Sequence, residues 1–137
     1  MKKLLFLILF IITSCCCCYC KAQDGIRIGK TESEILKEFP KAKIVYDTYS
    51  RFLQQDFGDY VMAYVFSVDD DKNTPCKINM LFPDGSQVIA KLIENFNTYY
   101  VIISDTLWKL YDGGKTINVM LLYNMEKDFY YVSYKSQ

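Results

Sequence analysis

The chain contains no histidine, and its 16 basic residues are matched by 16 acidic ones. Without histidine it lacks the commonest general base and the commonest transition-metal ligand. Beyond residue 22 there is a single cysteine, Cys76. One thiol cannot close an intrachain disulfide, so no disulfide-stapled fold is expected. With no histidine to activate it, Cys76 is expected as a small buried apolar residue beside a strand. Basic clusters are missing as well. Setting aside Lys2, Lys3 and Lys21 at the N-terminus leaves 13 bases against 16 acids, a net charge of −3. A mildly acidic domain suits neither nucleic acid nor an anionic lipid surface.

Two motifs approach known chemistry and miss it. Asp69, Asp71 and Asn73 have the spacing of a calcium loop, but Thr74 stands where its glycine belongs and Met80 where its glutamate belongs, leaving a solvated turn. "GGKT" at 113–116 has the end of a phosphate-binding loop, but Lys109 occupies the position of its first glycine and strand-like sequence follows, so it is expected as a hairpin turn. No nucleophile motif is present. No metal, no cofactor and no enzymatic activity are expected. A hydrolase built on two carboxylates is the alternative from a different class, because such enzymes need only two acids a few ångströms apart.

What is present begins with an export leader over residues 1–22: Lys2 and Lys3, the apolar run "LLFLILFII", then small and sulfur-bearing residues up to Ala22. "SCCCCYC" at 14–20 holds five of the six cysteines. Consecutive thiols on one strand or helix cannot converge tetrahedrally, which argues against zinc or an iron–sulfur cluster. "ITSC" at 12–15 resembles the lipobox of bacterial lipoproteins, in which the cysteine becomes the lipidated N-terminus; the resemblance implies lipidation at Cys15. Cleavage before Gln23, after the small residues Cys20 and Ala22, is an alternative. A retained anchor is another, although Leu4 to Cys20 spans only about 25 Å as a helix, at the short limit for a bilayer.

Residues 24–137 are expected as a single domain. Thr31 stands three before Glu34, a capping-box pattern, and Ile35, Leu36 and Phe39 share a face before Pro40, which predicts a helix at 32–39. "SQVIAKLIENF" carries Val88, Ile89, Leu92, Ile93 and Phe96 at helical spacing, a second helix. Strand patterns occupy "AKIVYDTY", "DYVMAYVFSV", "CKINMLF", "TYYVIIS", "TLWKLY", "TINVMLLYN" and "DFYYVSYK". In "CKINMLF", Ile78, Met80 and Phe82 alternate with Lys77 and Asn79, so the asparagine side is expected to be wet. A shift of 57 residues pairs Ile35 with Leu92, Phe39 with Phe96, Leu53 with Leu110 and Met62 with Val119, a tandem pseudo-repeat in which helix and strands recur in the same order. The fold class is α+β, with two short helices packed on one face of an antiparallel sheet.

"IRIGKTESEILKEFP" resembles the opening of the small bacterial envelope lipoprotein domains of the outer-membrane assembly type (SmpA/OmlA-like), and of the β-lactamase-inhibitor-protein-like fold, which sets two helix-plus-sheet repeats in tandem. In these families a Gly-x-Thr/Ser turn caps the helix, as Gly29, Lys30 and Thr31 do here. The resemblance implies a non-enzymatic module that binds a protein partner at the cell envelope.

Twelve tyrosines, nine phenylalanines and Trp108 supply the recognition chemistry. Tyrosine offers rigid area with a hydroxyl, which suits an interface. If helices cover one face, the exposed face is expected to carry Tyr60, Tyr64, Tyr100, Trp108, Tyr130 and Tyr134 as a partner-binding patch. The sequence thus points to an exported protein, facing the periplasm or the outer membrane through a lipid, or secreted and soluble, that binds a protein. An inhibitor or immunity-type protein differs from this only in its partner.

Overall fold

The structure, a computed structural model, describes residues 25–137. The leader and Cys15 lie outside the described residues. The chain forms α1 (Glu32–Glu38), β1 (Lys43–Tyr46), β2 (Ser50–Asp56), β3 (Tyr60–Ser67), β4 (Ile78–Pro83), α2 (Ser86–Tyr99), β5 (Val101–Ser104), β6 (Leu107–Asp112), β7 (Lys115–Asn124) and β8 (Phe129–Ser136). It is an α+β protein in which strand predominates.

All eight strands join one antiparallel sheet in the order β1-β2-β3-β4-β8-β7-β6-β5. Strands β4 and β8 therefore meet at the centre, and the short strands β1 and β5 form the edges. Gly113 and Gly114, at φ 53° and 79°, make the two-residue turn from β6 to β7, where left-handed backbone matches the twist of the strands. Strand β2, "SRFLQQD", has no conventional strand composition. It is held by pairing: Asp47 Oδ1 accepts from the Tyr49 and Ser50 backbone N–H groups in the preceding turn, and β2 then pairs with β1 and β3.

Because side chains alternate across a strand, register sorts them into two sets. One row crosses the whole sheet as Ile44, Leu53, Tyr64, Asn79, Tyr134, Val119, Trp108 and Ile102. Its six inner members are fully buried, and five of them share a hydrophobic cluster with Ile35 of α1 and Leu92 and Phe96 of α2. Phe96 meets Trp108 at 5.3 Å, Tyr100 at 5.0 Å and Tyr134 at 6.3 Å between ring centroids. The expectation for β4 is reversed: Asn79 is buried, whereas Ile78, Met80 and Phe82 point to the other side and are only half-buried.

Asn79 is tolerated in the core because its amide has partners. Its Oδ1 accepts from the Arg27 backbone N–H at 2.7 Å, and its Nδ2 donates to Cys76 Sγ at 3.1 Å. These bonds belong to a polar seam that ties the segment before α1 to the sheet. Tyr64 donates its hydroxyl to the Gly25 carbonyl at 2.9 Å, Gly29 N–H donates to the Cys76 carbonyl, Cys76 N–H to the Lys30 carbonyl, and Lys115 Nζ to the Ile28 carbonyl. Gly29, at φ 87°, permits this approach; a Cβ there would run into Lys115 Nζ.

Helix α1 begins as its sequence predicts, with Thr31 and Glu34 satisfying each other's backbone donors. The bonds from Thr31 hold the Glu34 carboxyl below its usual range. Glu32, in the same first turn, is buried against Arg51 of β2, with its Oε2 2.6 Å from Nη2 and 2.8 Å from Nε. The Arg51 guanidinium also lies 5.7 Å from the Phe66 ring centroid. Removing one partner of such a pair strands the other charge in the core. Arg51→Ala is expected to cost about 3 kcal/mol, against about 1 kcal/mol for loss of the cap in Thr31→Ala. Urea unfolding checks both, as lowered midpoints with the slope unchanged.

Candidate functional site

The expected recognition residues do not form a surface patch. Five of the six lie in the core, with Tyr60 at 4%, Tyr64 at 0%, Tyr100 at 9%, Trp108 at 0% and Tyr134 at 0% exposure, while Tyr130 is 47% exposed. The reason is register. The aromatic-rich set of β3 lies opposite Asn79 and Leu81 of β4, and these lie opposite Tyr134 and Val132 of β8, so the tyrosines join the buried rows. Tyr130 lies near the start of β8, beyond that cover, where its ring meets Tyr123 at 4.7 Å between centroids. Tyr123 donates its hydroxyl to Asp128, and that bond, with some burial, raises its pKa.

The other side of the sheet supplies a different candidate. Its central row runs Lys43, Gln54, Ala63, Met80, Ser133, Met120, Leu107 and Ser104 across all eight strands. Flanking rows carry Phe52, Val65 and Ile78 on one side and Val61, Phe82, Tyr131 and Leu122 on the other. None of these residues belongs to the hydrophobic cluster that contains the helix side chains. The larger ones are half-buried, whereas Ala63 and Ser133 are small and buried. Phe82, Phe129 and Tyr131 form a three-ring cluster, with centroid separations of 5.9, 5.8 and 6.0 Å. Aromatic and methionine side chains suit recognition, because they combine area with rigid rings or adaptable thioethers.

This outer face was hidden in the sequence because strands such as β3 are apolar on both sides. The clue that could have located it is the pairing of small with large residues: Ala63 with Met80, and Ser133 with both Met80 and Met120.

A cleft of about 360 Å³ opens at the end of β3, lined by Tyr49, Phe66, Asp70, Pro75, Lys77 and Ile78 among others. It holds one carboxylate, Asp70, whose Oδ2 accepts from the Ser67 backbone N–H. Among the described residues no group of three or more potential ligands is placed to hold a metal ion, and no helix is long and apolar enough to cross a membrane. No family model, curated protein or solved structure matches the chain.

Two buried groups give local tests. Burial, partly offset by bonds to the Ile78 and Val65 carbonyls and to Asn79, pushes the Cys76 thiol up to about 11. At pH 8 it is a thiol and not the nucleophilic thiolate, so iodoacetamide should spare it in the folded protein and modify it after denaturation, as read by mass mapping of the Cys76 peptide. Tyr134 has its hydroxyl buried without a hydrogen-bond partner, and burial raises its pKa. Tyr134→Phe should leave stability unchanged or raise it by about 1 kcal/mol, whereas Tyr64→Phe, which loses the bond to Gly25, should lower it by about 1 kcal/mol. Urea midpoints decide between these signs.

Proposed function

We propose that the protein is an exported, lipid-anchored, non-catalytic binding module of the bacterial cell envelope, and that it engages a protein partner across the outer face of its sheet. The observation that carries this is the apolar outer face itself. Val61, Met80, Phe82, Met120, Leu122 and Tyr131 line it, and none of them joins the core cluster. At about 4.8 Å per strand, the six inner strands offer a breadth of about 25 Å, on the scale of a stable protein interface. Half-buried apolar side chains left outside the core cluster in this way suit an interaction site.

The domain architecture in this proposal has both helices on one side of the sheet, leaving the other for the partner. Ile35, Leu92 and Phe96 support it by sharing the core with one alternating set of strand residues. A tandem pseudo-repeat is supported by spacing: β2 and β6 begin 57 residues apart, at Ser50 and Leu107, the shift that also pairs Tyr60 of β3 with Ile117 of β7. Beyond this the halves diverge, because ten residues separate β3 from β4 and four separate β7 from β8. The likeness of "IRIGKTESEILKEFP" to envelope lipoprotein domains supports the same role, and Cys15 is the proposed lipid acceptor.

The test is affinity capture from detergent-solubilised envelope, with the intact mass of the mature protein read from the same sample. A protein held by the wild type should be lost with Met80→Glu and with Met120→Glu, each shown by circular dichroism to be folded. Undiminished capture by both variants would rule out this face. The mass should show a lipidated Cys15; an N-terminus at Gln23 would remove the anchor from the proposal and leave the binding face in it.

A further inference from the structure

The outer face is electrostatically lopsided. At the end where β4 finishes and β8 starts, the Phe82, Phe129 and Tyr131 rings adjoin the β2–β3 turn, the residues after β4 and the β7–β8 turn. The end of β2 and those turns carry Asp56, Asp59, Asp84, Glu126 and Asp128, all exposed, against Lys127 and, at the β1 edge of the same face, Lys43. The Asp84 backbone N–H donates to the Asp59 carbonyl at 2.9 Å, which brings two of these turns together. Asp56 accepts from the Gly58 backbone N–H and Asp128 from the Tyr123 hydroxyl, but none of the five enters an ion pair among the described residues. Toward the opposite end Lys109 and Lys135 flank Asn118 in one row, and the neighbouring β3–β4 loop and β6–β7 hairpin bring both signs, Asp69, Asp70, Asp71 and Asp112 with Lys72, Lys77 and Lys115.

From this pattern we infer that the outer face receives a basic, arginine- or lysine-bearing apolar segment of a partner protein, its cations over the Phe82–Phe129–Tyr131 rings and beside the carboxylates; the inference rests on the partner-binding role proposed above. Ring faces attract cations, Arg most of all, and the carboxylates add a field of the same sign. The protein already makes such contacts internally, with Arg27 5.2 Å from the Phe39 centroid and Arg51 5.7 Å from that of Phe66. Anionic lipid and nucleic acid are disfavoured, because both would bring negative charge to the acidic end. A second copy is itself net acidic, with 13 bases against 16 acids beyond residue 22, and is a poorer complement to the five carboxylates than a basic segment.

The experiment uses the full chain in detergent micelles and two fluorescent amphipathic peptides with identical leucine and phenylalanine faces, one flanked by arginine and the other by glutamate, followed by anisotropy. The arginine peptide should bind at least ten-fold more tightly than the glutamate peptide. It should lose about ten-fold in Asp59→Asn/Asp84→Asn/Glu126→Gln. Phe82→Leu/Tyr131→Leu, which keeps apolar area and removes the rings, should weaken it several-fold. Asp69→Asn/Glu94→Gln/Asp112→Asn removes three carboxylates elsewhere and should change nothing; an equal loss there means non-specific attraction and overturns the inference. Equal binding of both peptides that is lost in Met80→Glu overturns the charge preference but leaves the binding face. Binding of either peptide that is indifferent to Met80→Glu and Met120→Glu overturns both. Binding of neither peptide, displacement by phosphatidylglycerol vesicles, or self-association of the chain in place of peptide binding each overturns the basic-segment inference.

Discussion

An eight-stranded sheet has two faces, and among the described residues the helices that meet it are of 7 and 14 residues. That shortage constrains everything else. Helix side chains join one alternating set of strand residues in a single hydrophobic cluster, and the segment from Gly25 to Thr31 completes its polar fastening. Tertiary burial is the main stabilising influence on short elements, since a seven-residue helix does not persist on propensity alone. For α1, the Thr31–Glu34 box and the Glu32–Arg51 pair add directional fixings to the apolar contact of Ile35. The remaining alternating set is left half-buried, with side chains that a core would ordinarily claim.

The two faces of the sheet consequently divide the aromatic residues between them. Tyr64, Trp108 and Tyr134 fill the buried row, where a large ring spans a thin core; the polar atoms of the first two find partners and the Tyr134 hydroxyl does not. Tyr64 bonds to Gly25, and Trp108 Nε1 donates to Asn97 Oδ1 at 2.8 Å. Phe82, Phe129 and Tyr131 occupy the outer side, where rings pack against one another and keep solvent-facing area. The division follows from register. Moving one strand by a single residue would exchange the sets, and the buried Asn79, seated between Tyr64 and Tyr134, is the polar member that opposes such a slip.

The helices were legible in the sequence because their signals are local. Thr31 and Glu34 announce the start of α1, and Val88, Leu92 and Phe96 trace the buried stripe of α2. Strand β2 was not legible, since Arg51, Gln54 and Gln55 carry little β propensity and the strand exists through its neighbours. The α2 helix also runs to Tyr99, through residues whose β-like composition suggested a strand. The expected tyrosine patch fell in the core for a related reason. An asparagine beside Met80 and Phe82 suggests a wet side, whereas Asn79 is buried because Arg27 N–H, 52 residues away, and Cys76 Sγ, three residues away, satisfy it, and neither bond shows in periodicity. Tyrosine count gave the chemistry of a surface but could not say which half of each strand would be outside.

The polar seam before α1 has a mechanical consequence. The chain enters the described domain at Gly25, and its first fastenings are to Tyr64 on β3 and, through Arg27, to Asn79 on β4. Both strands are interior to the sheet, paired on either side. A pull transmitted along the N-terminal segment would thus be received by the middle of the sheet and shared among its ladders, while β1 and β5, the two short margins where peeling would be easiest, stand outside the line of force.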